Sequence, residues 1–256
     1  MTRTARALYL MNGGWFNLER SLLTGEATDE RVLAPIPIGL VDTADGWVLF
    51  DTGMNCDGLR DPEQTWGPRA RTVQPRLVPE DDVRCRLTQL GVRLEEVRLA
   101  INSHLHWDHC GGNRLFRHCP VLVQRTELDF ARAPSGPVQG GYMTNHWDVP
   151  VTYEPVDGAE DVAPGVRLFP TQGHTPGHQS LVVDLASGRR VVLCADAAYT
   201  YDTVDHGLLS GNVWDRAETV TSLGRLRELG ERGATIIPGH EPELWKRLGD
   251  PPVRLS

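Results

Sequence analysis

The 256-residue chain reads as a mixed α/β fold whose strand ends gather on one edge. Three observations carry that expectation. Four apolar, strand-like runs each end in a residue able to bind a metal: His104 and its neighbours, His174, Asp196 and His240. Asp45-Gly46 and Ser187-Gly188 each sit between two apolar runs, which marks two hairpins. Residues 217–232 place Val220, Leu223, Leu226 and Leu229 at helical spacing. Ligands collected along one edge of a sheet system are what a mixed α/β enzyme presents.

In chain order, residues 5–10 form a first strand. Residues 12–35, with Gly13-Gly14-Trp15-Phe16 and Pro35, read as a long loop of the kind that lines a binding site. Residues 36–43 and 47–51 pair as the first hairpin, ending at Asp51-Thr52-Gly53. Asp51 either caps the turn or steadies a metal-ligating histidine from behind. Residues 54–79 are rich in Pro, Gly and Arg, contain Trp66, and read as a loop. Residues 80–90 read as a helix with an acidic first turn, stopped by Gly91. Residues 97–103 are a strand, 121–124 a short strand, 126–132 a short helix and 133–150 a loop. Residues 166–171 are a strand, 179–185 and 190–195 the second hairpin, and 234–237 a last strand leading to Pro238-Gly239-His240.

Composition bounds the function. Charged residues number 26 basic against 34 acidic, a net charge of -8, which argues against nucleic acid as the main partner. No run approaches the ~20 apolar residues of a membrane span. Residues 1–11 carry too short an apolar run for a secretory leader, so the expected location is cytoplasmic. Five cysteines, an odd count without a CxxC, argue against a disulfide framework. Cys110 and Cys194 read as small buried hydrophobes. The length suits a single domain over 1–256.

The chemistry concentrates in His104-Leu105-His106-Trp107-Asp108-His109. Ligands at relative positions 0, 2, 4 and 5 suit a loop leaving a strand, not a helix, where ligands fall three or four apart. Gly111 and Gly112 follow and permit a sharp turn or a close approach. With His174, Asp196 and His240 the candidates number seven, enough for two metals if one carboxylate bridges. The division the spacing suggests is His104, His106 and His174 on one metal, and Asp108, His109 and His240 on the other, with Asp196 across both. Zinc is the default cation, and His/Asp sites also accept cobalt, manganese or iron. His178 reads as a structural or outer-shell residue; His118, His146 and His206 read as solvated or locally packed.

The HLHWDH run resembles the HxHxDH signature of the metallo-β-lactamase superfamily. The likeness extends over Asp51-Thr52-Gly53, Ser103-His104, Gly111-Gly112-Asn113, residues 123–127, the run from His174 to Leu181, Asp196 to Thr200 and Gly239-His240. The GHTPGHQS run, and Tyr199 three residues after Asp196, narrow it to the N-acyl-homoserine lactonase branch. The resemblance implies an αββα sandwich with two metals at the sheet edge, and the same division of ligands. It implies hydrolysis of the lactone ring by a metal-bridging hydroxide, with Tyr199 on the lactone carbonyl. Asp108 is then placed to pass a proton to the leaving ring oxygen. Trp107 is the first candidate for an acyl pocket, followed by Trp15, Phe16 and Trp66. The partner is a small-molecule lactone and the assembly a monomer or homodimer. The alternative is another hydrolase of the superfamily, acting on other lactones, esters or glutathione thioesters. A glutathione thioester would call for a basic cluster that the sequence does not offer.

Overall fold

The computed structural model describes residues 4–256; residues 1–3, part of the stretch weighed above as a leader, lie outside it. Thirteen strands are found among the described residues. They are β1 (Ala7–Glu19), β2 (Arg31–Thr43), β3 (Gly46–Phe50), β4 (Pro75–Arg76), β5 (Val97–Ile101), β6 (Pro120–Gln124), β7 (Thr152–Val156), β8 (Asp161–Ala163), β9 (Val166–Pro170), β10 (Gln179–Asp184), β11 (Arg190–Ala195), β12 (Thr235–Pro238) and β13 (Val253–Leu255). One sheet has the order β13-β1-β2-β3-β5-β6-β7, with β4 also on β1; the other has the order β12-β11-β10-β9-β8.

Alternation along the strands builds the layers. In β10, Leu181 and Val183 join a core shared with Leu8, Leu10, Val48, Phe50 and Ile101 of the first sheet, while Val182 faces the other way. In β11, Val191 and Leu193 point inward and Val192 and Cys194 outward. Successive side chains of a strand point to opposite faces, so each sheet has an inner and an outer apolar surface. Val83 and Leu87 of the helix Val83–Gln89 cover the outer face of the first sheet over Leu49 and Ala100. Leu223 and Leu226 of the helix Arg216–Glu231 cover the outer face of the second. The result is an αββα sandwich, as the resemblance implied.

That second helix starts where Asp215 accepts hydrogen bonds from the backbone N–H groups of Ala217 (2.8 Å) and Glu218 (3.0 Å). Its buried face is Thr219, Ser222, Leu223 and Leu226. Val220 is 58% exposed, contrary to the face read from spacing. A strict three-residue repeat drifts about 60° per step around a helix, so the first member leaves the stripe.

The hairpin β2–β3 turns at Thr43↔Gly46, and β10–β11 pair antiparallel across the second predicted turn. Residues 12–35 are not a loop. β1 runs on to Glu19 and β2 begins at Arg31, so β1 and β2 pair as a long antiparallel ribbon. Gly13-Gly14 makes a register shift between Asn12 and Trp15, not a turn. A Cβ on Gly13 would lie 2.8 Å from the Gly53 Cα, so the bulge lets the ribbon settle on the Asp51-Thr52-Gly53 turn. Residues 54–79 also depart from a plain loop. They contain short helices at Pro62–Trp66 and Arg69–Thr72, the first capped by Asp61 on the Gln64 N–H at 3.0 Å. Residues 133–150 hold single turns at Gln139–Gly141 and Thr144–Trp147.

Candidate metal centre

Four strand ends supply the site. β5 leads to His104, β9 to His174, β11 to Asp196 and β12 to His240. β9 and β11 are each antiparallel to β10, and β12 is parallel to β11, so their C-terminal ends share one edge of the second sheet. All seven side chains are buried. Their ligand atoms fall into two tight groups: His104, His106, His174 and Asp196, and Asp108, His109 and His240.

Asp196 lies between the groups. Its Oδ2 is 3.3 Å from His174 Nε2 and 3.8 Å from His104 Nε2. Its Oδ1 is 3.1 Å from both His109 Nε2 and His240 Nε2. Asp108 Oδ2 stands 3.1 Å from His109 Nε2 and 3.6 Å from His240 Nε2. His106 turns Nδ1 to within 3.0 Å of His174 Nε2.

The outer ring nitrogens fix the inner ones. His174 Nδ1 lies 2.8 Å from the Asn212 carbonyl and His240 Nδ1 lies 2.9 Å from the Pro35 carbonyl. A carbonyl only accepts, so Nδ1 carries the proton and Nε2 presents a lone pair inward. His109 Nδ1 is 2.8 Å from Asp51 Oδ2. Asp51 also accepts from the Ser103 N–H (2.7 Å) and hydroxyl (2.8 Å), and that hydroxyl is 3.0 Å from His104 Nδ1. Of the two roles open for Asp51, the structure favours support of a histidine. Its backbone is left-handed (φ 61), a strained conformation held by those contacts. His178 accepts from the Asp196 N–H at 3.1 Å through Nε2 and meets the Thr171 hydroxyl at 2.9 Å through Nδ1, so it holds the backbone of Asp196.

The donors fit cations. The buried atoms His104 Nε2, His106 Nε2, His109 Nε2 and Asp196 Oδ1 have no hydrogen-bond partner. Leaving such groups unpaired costs about 1–3 kcal/mol each. Burial, then His109 and His106, push His104 well below its ordinary range; burial, then His174, does the same to His106. Both are neutral and ready to ligate. Burial works against charge on His109 too, but Asp108, Asp196 and Asp51 override it and hold it well above the imidazole range. Three carboxylates in a buried space thus call for positive charge.

The sequence pattern of the metallo-β-lactamase superfamily matches residues 33–240. This chain belongs to that superfamily. An N-acyl homoserine lactonase of Bacillus cereus is 30% identical over 246 residues, 95% of this chain and 96% of the relative. One of Agrobacterium fabrum is 31% identical over 237 residues, 89% of each. A solved N-acyl homoserine lactone hydrolase, with N-hexanoyl-L-homoserine bound at its catalytic metal centre, superposes with a TM-score of 0.89. It is 29% identical and covers 98% of this chain and 100% of its own.

In this metallo-β-lactamase fold a cavity of about 460 Å³ opens over the seven side chains. His106, Asp108, Asp196, Tyr199 and His240 form its floor, and Phe16, Leu18, Leu22, Leu23, Val73 and Trp107 its apolar wall. Tyr199 is buried, with its ring 5.2 Å from that of His240 and its hydroxyl 3.4 Å from His174 Nδ1. Trp107 and Phe16 line the cavity, rings 5.5 Å apart. Trp66 does not: it is buried behind Trp107 at 5.9 Å. Trp15 does not either; it pairs with Pro35 and Arg76 and packs on the core between the sheets. Strand alternation sends Trp15 and Phe16 to opposite faces, which separates the two.

Several residues of the site escaped the sequence reading. Leu18, Leu22 and Leu23 line the cavity because the first ribbon reaches over it. Asn212 holds His174 through its carbonyl, and its amide reaches the Tyr199 hydroxyl at 3.5 Å. Gly141 lies against His106, and Glu127 beneath the ligand loops. No spacing marks these positions. The signals available were the 12–35 stretch, expected to line a site and holding the three leucines, and Glu127 within a run that resembles the family.

Proposed function

We propose that this chain is an N-acyl homoserine lactonase that opens the lactone ring at a pair of divalent cations, zinc by default. His104, His106 and His174 would hold one, Asp108, His109 and His240 the other, and Asp196 both. The observation that carries the reading is the split of Asp196, one oxygen toward each group of imidazoles, beneath a cavity of acyl-chain size. The lactonase relatives and the product-bound solved structure support the choice of substrate. Two bound divalent cations would polarise a carbonyl and lower the pKa of water toward about 7.

The chain's own groups do the rest. The apolar wall of Phe16, Leu18, Leu22, Leu23, Val73 and Trp107 takes the acyl chain, and it excludes water from the floor. Tyr199 stays protonated: burial, then Asp196, push its phenol well above the ordinary range. Its O–H therefore donates to the oxygen that gains charge as the carbonyl carbon is attacked. Asp108 faces the cavity as a carboxylate, since burial pushes its carboxyl up but His109 outweighs that and holds it below the usual range. It takes the proton given up by the attacking water and passes it to the ring oxygen as the C–O bond breaks. The ring-opened product is a carboxylate, so each turnover at neutral pH releases one proton.

The test is a pH-stat measurement of lactone opening over short and long acyl chains, with metal content determined on the same sample. His106→Ala and Asp196→Asn are expected to lose both metal and activity. If both variants keep full activity and metal content, the ligand assignment is wrong. A protein that carries two metals yet leaves every N-acyl homoserine lactone intact would transfer the site to another ester or thioester.

A further inference from the structure

Two buried carboxylates flank the seven side chains without belonging to them. Asp51 stands behind His109. Glu127, from the helix Arg125–Arg132, is fully buried and hydrogen-bonds to none of the seven side chains. Its Oε1 accepts from the Leu105 N–H at 3.0 Å and the Tyr142 hydroxyl at 2.7 Å. Its Oε2 accepts from the Thr175 hydroxyl at 2.7 Å and the Gly177 N–H at 3.1 Å. No arginine or lysine pairs with it among the described residues.

Each contact abuts the same subsite. Leu105 sits between His104 and His106, and Thr175 follows His174. The Tyr142 ring stands edge-on to His106, centroids 4.7 Å apart. None of these contacts reaches Asp108, His109 or His240; His109 rests on Asp51 and His240 on the Pro35 carbonyl. Gly177 is needed for the approach: a Cβ there would lie 2.2 Å from the Glu127 backbone nitrogen.

We infer that Glu127 is the positioning residue of the His104–His106–His174 subsite, and that it serves there as a carboxylate. The inference rests on reading the two groups as cation sites. Four donors converge on two oxygens, which uses the whole acceptor capacity of a carboxylate. A glutamine would offer one oxygen and turn an NH₂ toward two donors. A buried anion without a cationic side chain is kept where other positive charge balances it. Burial by itself pushes the Glu127 carboxyl up, and a cation held by these three histidines would supply the balancing charge. Glu127 backs this subsite alone, whereas Asp51 backs His109 and, through the Ser103 hydroxyl, His104 as well.

The experiment titrates metal-free protein with Co²⁺ and follows ligand-field absorption in wild type, E127Q, E127D and T175V. Wild type takes up two equivalents; fewer would sink the two-metal reading itself. E127Q keeps one equivalent at wild-type affinity and binds the other about 10–100-fold more weakly. T175V, which removes one hydrogen bond, shifts the same equivalent by less, and E127D recovers part of the loss. In His106→Ala, which already lacks a ligand of that subsite, adding E127Q changes nothing further. Equal weakening of both equivalents, no weakening of either, or additive loss in the double variant overturns the inference. If circular dichroism shows metal-free E127Q unfolded, T175V decides by the same criteria.

Discussion

Tolerances around His106 are tight. A Cβ on Gly141 would fall 2.3 Å from His106 Cδ2, so Gly141→Ala must displace the ring or the segment that carries it. Misplacement of a reacting group by about 1 Å can cost on the order of 100-fold. A loss of that size in kcat/KM is expected, together with weakened metal retention; a fully active Gly141→Ala would refute the contact. Tyr199→Phe removes only the donor. Its expected effect is a kcat lower by about 10²–10³-fold with two metals retained, measured by steady-state kinetics and metal analysis. Thiols offer an independent check on burial. Cys110 and Cys194 are buried, and burial pushes the Cys194 thiol up to about 12. Burial, then Asp82, raise Cys56 to about 12 as well, while Cys85 is exposed. Alkylation of the native protein at pH 8 should modify Cys85 first and spare the buried thiols, as read by peptide mass mapping.

Aromatic contacts join elements at the cavity, beside hydrogen bonds such as that of the Trp107 N–H to the Gly141 carbonyl at 3.0 Å. Trp107, from the ligand loop, touches Phe16 of β1 and Trp66 of the short helix Pro62–Trp66. Trp107→Ala therefore opens the apolar wall and loosens two elements at once. Truncation of such a side chain costs about 3–5 kcal/mol. The expected result is a lower melting temperature and a KM that rises more for long acyl chains than for short ones. An equal rise for all chain lengths would remove Trp107 from the acyl wall. The β1–β2 ribbon belongs to this scale too. Residues 12–35 read as a loop because Gly13-Gly14 and Pro35 look the same in a loop as in a bulged strand. Pairing across the ribbon, which no local signal encodes, separates the two cases. The strands β7, β8 and β13 were missed for a related reason. They are short, and part of their burial comes from neighbours distant in the chain.

For the molecule as a whole, the buried imidazoles couple acidity to stability. Burial, then His174, push His178 down to about 3. An imidazole in the unfolded chain titrates near 6.5. Between those values the unfolded state holds the extra proton. The contribution of His178 is therefore complete above about pH 6.5 and is lost as pH falls toward about 3. Urea unfolding at pH 7.5 and pH 5 should show a smaller stability change in His178→Gln than in wild type. The difference is expected to be on the order of 2 kcal/mol; identical changes would show that His178 does not take up a proton on unfolding. Metal removal acts in the same direction, since the carboxylates Asp51, Asp108 and Asp196 then share a buried space without cations. Chelation should lower the melting temperature, and adding Zn²⁺ back should restore it.

All seven candidate ligands were legible because their chemistry is local: three imidazoles and a carboxylate in six residues, and three more strand runs each closed by a ligand type. Hairpins at Asp45-Gly46 and Ser187-Gly188 were legible for the same reason, since a tight turn is written in two residues. The partition of Trp15 from Phe16, the reach of Leu18, Leu22 and Leu23 over the cavity, and the convergence of four donors on Glu127 belong to tertiary structure. Each depends on which segments far apart in the chain come to lie against one another. A sequence pattern records what a side chain is able to do, and only the folded chain places another group within the few ångströms where it does it.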